Sequence, residues 1–265
     1  MSGGSLRRMA IVRCRRKATF AAPPPLYAVA TPPKLPDMTR ILAIETVGFT
    51  GSIALAEGEQ LIAQQVLPTD RRMAQTLAPA IAELLKGHGW NAREVELVAV
   101  AIGPGTFTGL RCGVTTAKVL AYAAKADVVG VDSLQTIAEG APADCQELTT
   151  VLDAQRRQLF AASFRRDEHG HMQRATDTQI VDIERWLAAL QPGQVVAGPV
   201  LEKLAQRLPA GVQTLPPELW APRAASVATL AWRRYQAGQR DSMWQLVPNY
   251  GRASAAEEKR AEQAL

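Results

Sequence analysis

A glycine-rich turn is the first feature of the sequence that could do chemistry. The stretch GPGTFTGLR, residues 103–111, follows an apolar run and precedes a segment with helical spacing. A strand, a glycine turn and a helix together can direct backbone N–H groups and a helix N-terminus towards a phosphate. On this basis Gly103, Gly105 and Thr106 are candidates to lie near a nucleotide.

The spacing of the turn, however, matches neither standard phosphate-binding motif. A P-loop needs Lys and then Ser or Thr after its last glycine, whereas Leu110 and Arg111 follow Gly109 here. The three glycines also miss G-x-G-x-x-G by one residue. The favoured prediction is that the turn positions the following helix, with Thr106 or Thr108 as its N-cap. Nucleotide contact is the alternative.

The helix after the turn carries a stripe of small residues. Gly109, Gly113, Ala117 and Ala121 recur every four residues, so another element can approach this face closely. Glycine in a helix interior costs roughly 0.5–1 kcal/mol relative to alanine, so two glycines indicate that close packing is required. Buried groups of the same chain could use the stripe. The helix predicted at 72–87 is the obvious neighbour, and the two helices together could present a surface to another protein.

Other residues that could do chemistry do not combine into a catalytic or metal-binding set. Asp153 lies at the end of a predicted strand, but pairing with Arg156 or Arg157 is favoured, and a lone acid is no mechanism. Cys112 lies within the small-residue helix and is interpreted as a packing residue. The remaining cysteines lack C-x-x-C spacing, and the histidines are interpreted as solvated. We therefore predict no catalytic residue and no bound metal. The other cysteines and the histidines, for which we predict no such role, are Cys14, Cys145, His88, His169 and His171.

Three β-rich runs at the start of the body must position the turn. RILAIETV, GSIALAE and QLIAQQVL, separated by glycine-containing turns, predict an antiparallel meander. A helix at 72–87 follows, because its apolar residues recur at helical spacing. A buried strand at 95–103, the small-residue helix, a strand at 127–131 and a helix with Ser133 as its N-cap come next. The predicted order is βββαβαβα.

After Pro142 the pattern restarts in a shorter form. ELTTVLDA and QLFAASFRR predict two strands, and TDTQIVD predicts a third. Further elements are predicted at 185–190 (helix), 194–198 (strand), 199–208 (short helix) and 223–238 (helix). Two halves that each open with a meander predict the α/β class with two RNase H-like subdomains, the second degenerate. The predicted domains are 39–142 and 143–265.

Positive charge is concentrated in the first 38 residues. The 265-residue chain has a formal net charge of +5, but residues 1–38 hold seven Lys or Arg against Asp37, which is +6 and leaves −1 for the rest. The residues after 38 are close to neutral and attract nucleic acid only weakly, so we expect them to contact RNA through a partner or a local patch. The basic, Pro-rich segment 1–38 is predicted to be disordered; a start upstream of a true initiator Met38, a basic arm and a transit peptide are its alternative origins. Without an apolar run of about 18 residues, a cytoplasmic protein away from membranes is predicted.

The residues around the glycine turn resemble a known family. GPGTFTGLRCGVTTAKVLA, with ILAIET before it and GVDSLQTIA and LDAQRRQLFAASF after it, resembles the TsaB family of bacterial tRNA threonylcarbamoyladenosine biosynthesis proteins. The match runs from Arg40 to Phe164, and Pro248-x-Tyr250-x-Arg252 is similar to the family's closing P-x-Y-x-R. The family is related to the glycoprotease and sugar-kinase/actin-like superfamily, which implies actin-like or sugar-kinase-like subdomains.

The resemblance implies a scaffold without a complete active site. Members pair with the catalytic subunit TsaD through a helical bundle and, with the ATPase TsaE, support threonylcarbamoyl transfer from threonylcarbamoyl-adenylate to the adenosine beside the tRNA anticodon. ATP or ADP and a metal are then bound by the partner subunits, tRNA is met indirectly, and a homodimer is possible without the partner. The helices implied to face TsaD are 73–86 and 106–123. The implied interface residues are Met73, Leu77, Ile81, Leu84, Phe107, Gly109, Arg111, Gly113 and Ala117.

An enzyme is the alternative that the resemblance leaves open. Where the superfamily's first phosphate loop usually has aspartate, this chain has Glu45-Thr46, which could lie near the Mg-nucleotide of a phosphoryl-transfer enzyme. Placement of Glu45 as a solvated carboxylate beside a turn is favoured instead, and the second phosphate motif is missing. A glycoprotease-type hydrolase has little basis, because the catalytic relatives bind a metal with two histidines four residues apart, and this chain has no such pair.

Overall fold

The first half of the chain builds a five-stranded sheet. The computed structural model describes residues 38–252, so the predicted extension lies outside the described residues except for Met38, as do residues 253–265. The strand order is β3-β2-β1-β4-β5, with β1, β2 and β3 antiparallel and β1, β4 and β5 parallel. The predicted meander is confirmed. The strands are β1 Arg40–Glu45, β2 Ser52–Glu57, β3 Gln60–Val66, β4 Leu97–Gly103 and β5 Asp127–Asp132.

Two long helices cover one face of this sheet and alternate with its strands as predicted. Because side chains alternate along β1, Leu42 and Ile44 pack into the core beneath α1 and α2, while Ile41 and Ala43 face the opposite core. The βββαβαβα order is confirmed. The helices are α1 Met73–Gly87, α2 Phe107–Ala124 and α3 Ser133–Glu139, with a short 3-10 turn at Ala92–Glu94 before β4.

The N-cap of α3 differs from the prediction. Asp132, not Ser133, is the capping residue, and its Oδ1 accepts a hydrogen bond from the backbone N–H of Gln135 at 2.9 Å. Ser133 is already the first helical residue, and its hydroxyl is buried without a hydrogen-bond partner. The carboxylate is the better cap here because it meets the positive end of the helix dipole.

The second half repeats the first in reduced form. Its sheet has the order β11-β10-β6-β7-β8, in which β6 and β7 correspond to β1 and β2. The predicted third strand, TDTQIVD, contains β9, and β8 lies just before it in the sequence; both pair with β7, and neither β8 nor β11 was predicted. The elements are β6 Glu147–Asp153, β7 Gln158–Arg166, β8 Met172–Arg174, β9 Gln179–Asp182, α4 Ile183–Ala189, β10 Val195–Ala197, α5 Leu201–Leu204, β11 Gln213–Thr214 and α6 Ala224–Gln236, with 3-10 turns at Ala205–Arg207 and Pro217–Leu219.

The two halves exchange helices across a shared core. Helix α6 lies on the first sheet, and the backbone N–H of Ala224 donates to Ser52 Oγ on β2 at 2.9 Å. Helix α3 packs on the second sheet, where the Thr150 hydroxyl donates to the Leu134 carbonyl at 3.1 Å. One apolar cluster therefore contains residues of both sheets. Although α6 belongs to the sequence of 143–265, it packs with the strands of 39–142, and the domain division stays a prediction.

Candidate functional site

The glycine turn lies at the carboxyl ends of the parallel strands of the first sheet. Strand β4 ends at Gly103, and the residues that follow β1 lie beside it, because the Thr106 N–H donates to the Val47 carbonyl at 2.9 Å. In open α/β sheets, ligands bind outside the carboxyl ends of the strands. The structure thus brings together the five residues predicted to lie near a nucleotide, which are Glu45, Thr46, Gly103, Gly105 and Thr106.

The chain's own backbone occupies the space beside the glycine turn. The Asn249 N–H donates to the Ile102 carbonyl at 2.6 Å, and a Cβ on Gly103 would overlap the Asn249 carbonyl oxygen. Gly103 also has a φ of 119°, a region that favours glycine. A Cβ on Gly105 would overlap the side chain of Val47. The turn therefore positions α2 and contacts the carboxyl-terminal segment, residues 242–252.

The two glycines of the small-residue stripe of α2 pack against Thr46, just after β1, while Ala117 and Ala121 lie in the core that α2 shares with α1. The Thr46 hydroxyl donates to the Gly109 carbonyl at 2.8 Å, and a Cβ on Gly109 or Gly113 would overlap Thr46. Thr106 occupies the N-cap position of α2, but its side chain makes no capping hydrogen bond. Gly109, Gly113 and Ala117 are all buried within this chain, which corrects the inference that these three residues contact a partner.

The partner-facing residues inferred on α1 are likewise mostly internal. Leu77, Ile81 and Leu84 are buried in the core between α1, α2 and the sheet, which corrects their inferred place in an interface. Met73 is partly buried, with its thioether beside Gly51. The inferred residues that remain accessible are Phe107 and Arg111 at the start of α2.

Glu45 is fully buried, so the prediction of a solvated carboxylate was wrong. Its Oε1 accepts a hydrogen bond from the Val47 N–H at 2.6 Å, and its Oε2 has no partner. Ser52 lies opposite Glu45 across β1 and β2 and accepts a hydrogen bond from Ala224, so the start of α6 covers this region. Burial raises the pKa of Glu45 to about 8. In the metal-free chain the carboxyl group of Glu45 is therefore mostly protonated at pH 7.

A second, partly buried carboxyl group lies at the same edge of the sheet. Asp132, at the end of β5, forms an ion pair with Arg174 of β8 at 2.6 Å and caps α3. Burial nevertheless raises the pKa of Asp132, although Arg174 and the capping bonds oppose the shift. Both interactions of Asp132 are structural. Its hydrogen bond caps α3, and its ion pair with Arg174 joins the first half of the chain to the second.

A cluster of three side chains joins α2 to the carboxyl-terminal segment. The rings of Phe107 and Tyr250 stack with centroids 5.0 Å apart, and Arg111 Nε donates to the Tyr250 hydroxyl at 2.8 Å. The Arg111 guanidinium also lies 3.9 Å from the Phe107 ring centroid. Beyond Tyr250, Gly251 contacts Phe160 and Arg252 donates to Gln158, so the segment also reaches β7.

The remaining polar candidates have local roles. His88 Nδ1 lies 2.9 Å from the Leu84 carbonyl at the end of α1, and Asp153 Oδ1 accepts from the Gln155 N–H at 2.7 Å. Arg157 forms its ion pair with Glu184 at 3.0 Å. Among residues 38–252, no three His, Cys, Asp or Glu side chains are grouped to hold a metal ion. Within the same range, no helix has the length and apolar character to cross a membrane.

Comparison with known proteins connects this geometry to tRNA modification proteins. A family model described as TsaD, tRNA N6-adenosine threonylcarbamoyltransferase, matches residues 60–257. The tRNA threonylcarbamoyladenosine biosynthesis protein TsaB of Bacillus subtilis is 30% identical over 151 residues, which are 57% of this chain and 66% of that protein. TsaB of Escherichia coli is 32% identical over 133 residues, 49% of this chain and 57% of that protein. Less than two thirds of each of these relatives is thus matched.

A solved structure shows the same fold over a longer span. YeaZ from Pseudomonas aeruginosa matches with a TM-score of 0.70 at 25% identity, covering 80% of this chain and all of that one. This likeness agrees with the two sheets described above, and the α/β fold with two RNase H-like subdomains is confirmed. Since the family model covers well over half of the 265 residues, the chain belongs to the TsaD family of tRNA N6-adenosine threonylcarbamoyltransferases, among its TsaB-type members.

Proposed function

We propose that this chain is a non-catalytic subunit in the biosynthesis of threonylcarbamoyladenosine in tRNA, and that it binds a TsaD-like catalytic subunit through α1 and α2. The observation that carries the proposal is the contrast between the glycine turn, which the chain itself fills, and α2, which exposes apolar side chains. The likeness to TsaB proteins supplies the pathway. The accessible residues of the two helices, rather than the buried ones, form the proposed contact.

The filled turn supports a structural role for the residues nearest the sheet edge. A nucleotide phosphate placed against Gly103 would have to displace the Asn249 backbone, which is hydrogen-bonded to Ile102. The nearest acid, Glu45, is fully buried, and its Oε1 already accepts a hydrogen bond from the Val47 N–H. These contacts favour a binding protein over the alternative of a phosphoryl-transfer enzyme, and no contact of the described residues favours that alternative.

The exposed side of α2 supports contact with another protein. Phe107, Val119 and Tyr122 are each more than half exposed, although they are large apolar residues on a single helix. Exposed apolar groups of this size are typical of protein interfaces. Because the same residues are exposed in the isolated chain, we expect weak self-association through them, which binding of the partner replaces.

The remaining components follow from this assignment. A TsaE-like ATPase, the nucleotide and the metal ion belong to the other subunits, and tRNA is met through the complex. Residues 39–265 carry a formal net charge of −1, which agrees with an indirect contact with tRNA. A cytoplasmic location is proposed because tRNA modification takes place there.

The experiment that tests the proposal is complex formation with the TsaD-like protein of the same organism. Residues 38–265 and the partner are mixed and examined by size-exclusion chromatography with light scattering. A stable heterodimer whose mass equals the sum of the two chains supports the proposal. If the proteins stay separate, even with the TsaE-like ATPase and ATP present, the proposed function is wrong.

A further inference from the structure

The carboxyl-terminal segment runs along α2 in the opposite direction. The Trp244 ring meets the Tyr122 ring edge-on with centroids 6.1 Å apart, near the end of the helix. In the middle, Lys118 Nζ donates to the Leu246 carbonyl at 3.2 Å. At the start of the helix, Tyr250 stacks on Phe107, as described above. Leu246 is buried, so it anchors the segment while its neighbours face outwards.

Helix and segment together form one elongated apolar surface, here called the aromatic strip. On α2, its residues follow the spacing of a single helix face, and an aromatic pair lies at each end. Fifteen residues separate Phe107 from Tyr122, which corresponds to about 22 Å along the helix. Trp244 is 75% exposed and Tyr122 is 65% exposed. The aromatic strip consists of Phe107, Val119, Tyr122, Trp244, Val247 and Tyr250.

The charges on the strip select the kind of partner. Residues 107–125 and 242–252 contain Arg111, Lys118, Lys125 and Arg252 but no Asp or Glu. In a symmetric contact between two copies, the same surface would face itself, so the basic groups would oppose each other. A partner with carboxylates around an apolar centre would instead pair with them.

The chemistry of the strip fits a protein better than a nucleic acid. Three of the four basic side chains beside the strip already donate within this chain: Arg111 to the Tyr250 hydroxyl, Lys118 to the Leu246 carbonyl and Arg252 to Gln158. Nucleic-acid binding depends on several cations that reach phosphates. Val119 and Val247, which are both more than half exposed, gain nothing from a phosphate backbone but fit an apolar protein surface.

We infer that Trp244, Val247 and Tyr250 of the carboxyl-terminal segment complete the partner-binding surface of α2, and that this surface binds an apolar protein face rimmed with carboxylates. The inference rests on the proposed function, because the TsaD-like subunit is the partner that it describes. It adds a second binding element to the two helices. We expect Trp244 and Tyr122 to contribute most of the binding energy of this surface, since large aromatic residues dominate such interfaces.

The test compares the affinity of strip variants for the TsaD-like subunit by isothermal titration calorimetry. Trp244→Ala and Tyr122→Ala are expected to weaken binding about tenfold or more. Phe49→Ala is the matched control, because Phe49 is 93% exposed but lies in the β1–β2 loop outside the strip. Thermal unfolding of each variant confirms that it is folded, which is expected because all three side chains are largely exposed.

A charge pair at one position tests the acidic rim. Thr115 is exposed on the same face of α2, between Arg111 and Val119. Thr115→Glu is expected to weaken binding at least threefold more than Thr115→Lys, because only the glutamate repels carboxylates. Equal affinities of the two variants, or tighter binding by Thr115→Glu, would overturn the acidic-partner assignment.

The outcomes separate this inference from the proposed function. If the unmodified chain does not bind the TsaD-like subunit, the proposed function fails and the inference fails with it. If it binds and Trp244→Ala behaves like Phe49→Ala, only the inference fails. Two further results would also overturn it: a homodimer of the isolated chain that Trp244→Ala breaks without affecting partner affinity, or tRNA binding by the isolated chain that the same variant abolishes.

Discussion

Glu45 gives the most quantitative prediction, because its burial links folding to proton uptake. In the unfolded chain, the carboxyl group has its ordinary pKa of 4.5, whereas in the folded chain burial raises the pKa to about 8. Between these values the unfolded chain is ionised and the folded chain is protonated, so folding takes up one proton. The contribution of Glu45 to stability is therefore fully retained below pH 4.5 and is lost as the pH rises towards 8.

The size of the effect follows from the two pKa values. Each pH unit between them lowers the free energy of unfolding by up to about 1.4 kcal/mol. Integrated from pH 5.5 to pH 7.5, the loss from this one group is about 2–3 kcal/mol. Glu45→Gln removes the titration while keeping a carbonyl oxygen that can accept from the Val47 N–H. The amide adds a constant offset, which cancels when the two pH values are compared.

The assay is urea unfolding of the unmodified chain and of Glu45→Gln at pH 5.5 and pH 7.5. Relative to the unmodified chain, the glutamine variant is expected to gain about 2–3 kcal/mol of stability between the two pH values. Glu59→Gln is the matched control, because Glu59 is exposed in the turn between β2 and β3. A stability difference between Glu45→Gln and the unmodified chain that does not change with pH would refute the reasoning.

Three further predictions concern the packing around α2 and the sheet edge. Gly113→Ala is expected to cost about 1–3 kcal/mol, and less in a Thr46→Ala background, because the added Cβ overlaps the Thr46 hydroxyl; additive free energies of unfolding would contradict this. Tyr250→Phe is expected to cost at most about 1 kcal/mol and Tyr250→Ala more, since phenylalanine keeps the stack on Phe107, and equal losses in urea unfolding would argue against the stack. Asp132→Ala is expected to cost about 1–2 kcal/mol through the lost cap of α3 and ion pair, and an unchanged thermal midpoint would show that neither contributes.

The small-residue stripe is not a suitable place to test the partner interface. Because Gly113 packs on Thr46, a Gly113→Leu variant would disturb the chain's own fold before it affected a partner. Loss of partner binding in that variant would therefore not locate the interface. Substitutions at exposed positions such as Trp244 and Thr115 avoid this difficulty.

The strand and helix pattern of the first half could be predicted because local signals agreed there. The meander, the buried strand β4 and the helix α1 each have a clear hydrophobic period bounded by glycines, and all were found. In the second half, only β9 falls within a predicted run, while β8 has three residues and β11 only two. Such short strands are defined by their pairing with β7 and β10, which no local pattern reveals.

The candidate site could be predicted only as a set of neighbours in the sequence. Glu45 is buried because α6, which starts 179 residues later, covers the first sheet. The local spacing of residues around Glu45 does not predict this long-range contact. Likewise, Arg111 bonds Tyr250, 139 positions further along the chain. The sequence signal for this segment is the closing Pro248-x-Tyr250-x-Arg252, but its resemblance to the family's P-x-Y-x-R carries no information about contact with α2.

The division of labour in the proposed complex is most directly tested by measuring threonylcarbamoyl transfer to tRNA. The assay supplies threonylcarbamoyl-adenylate, tRNA, the TsaD-like subunit and the TsaE-like ATPase, with and without this chain. We expect modified adenosine only when this chain and the TsaD-like subunit are both present, and none when this chain replaces that subunit. Transfer by this chain without the TsaD-like subunit, or full activity of that subunit in the absence of this chain, would contradict the scaffold function.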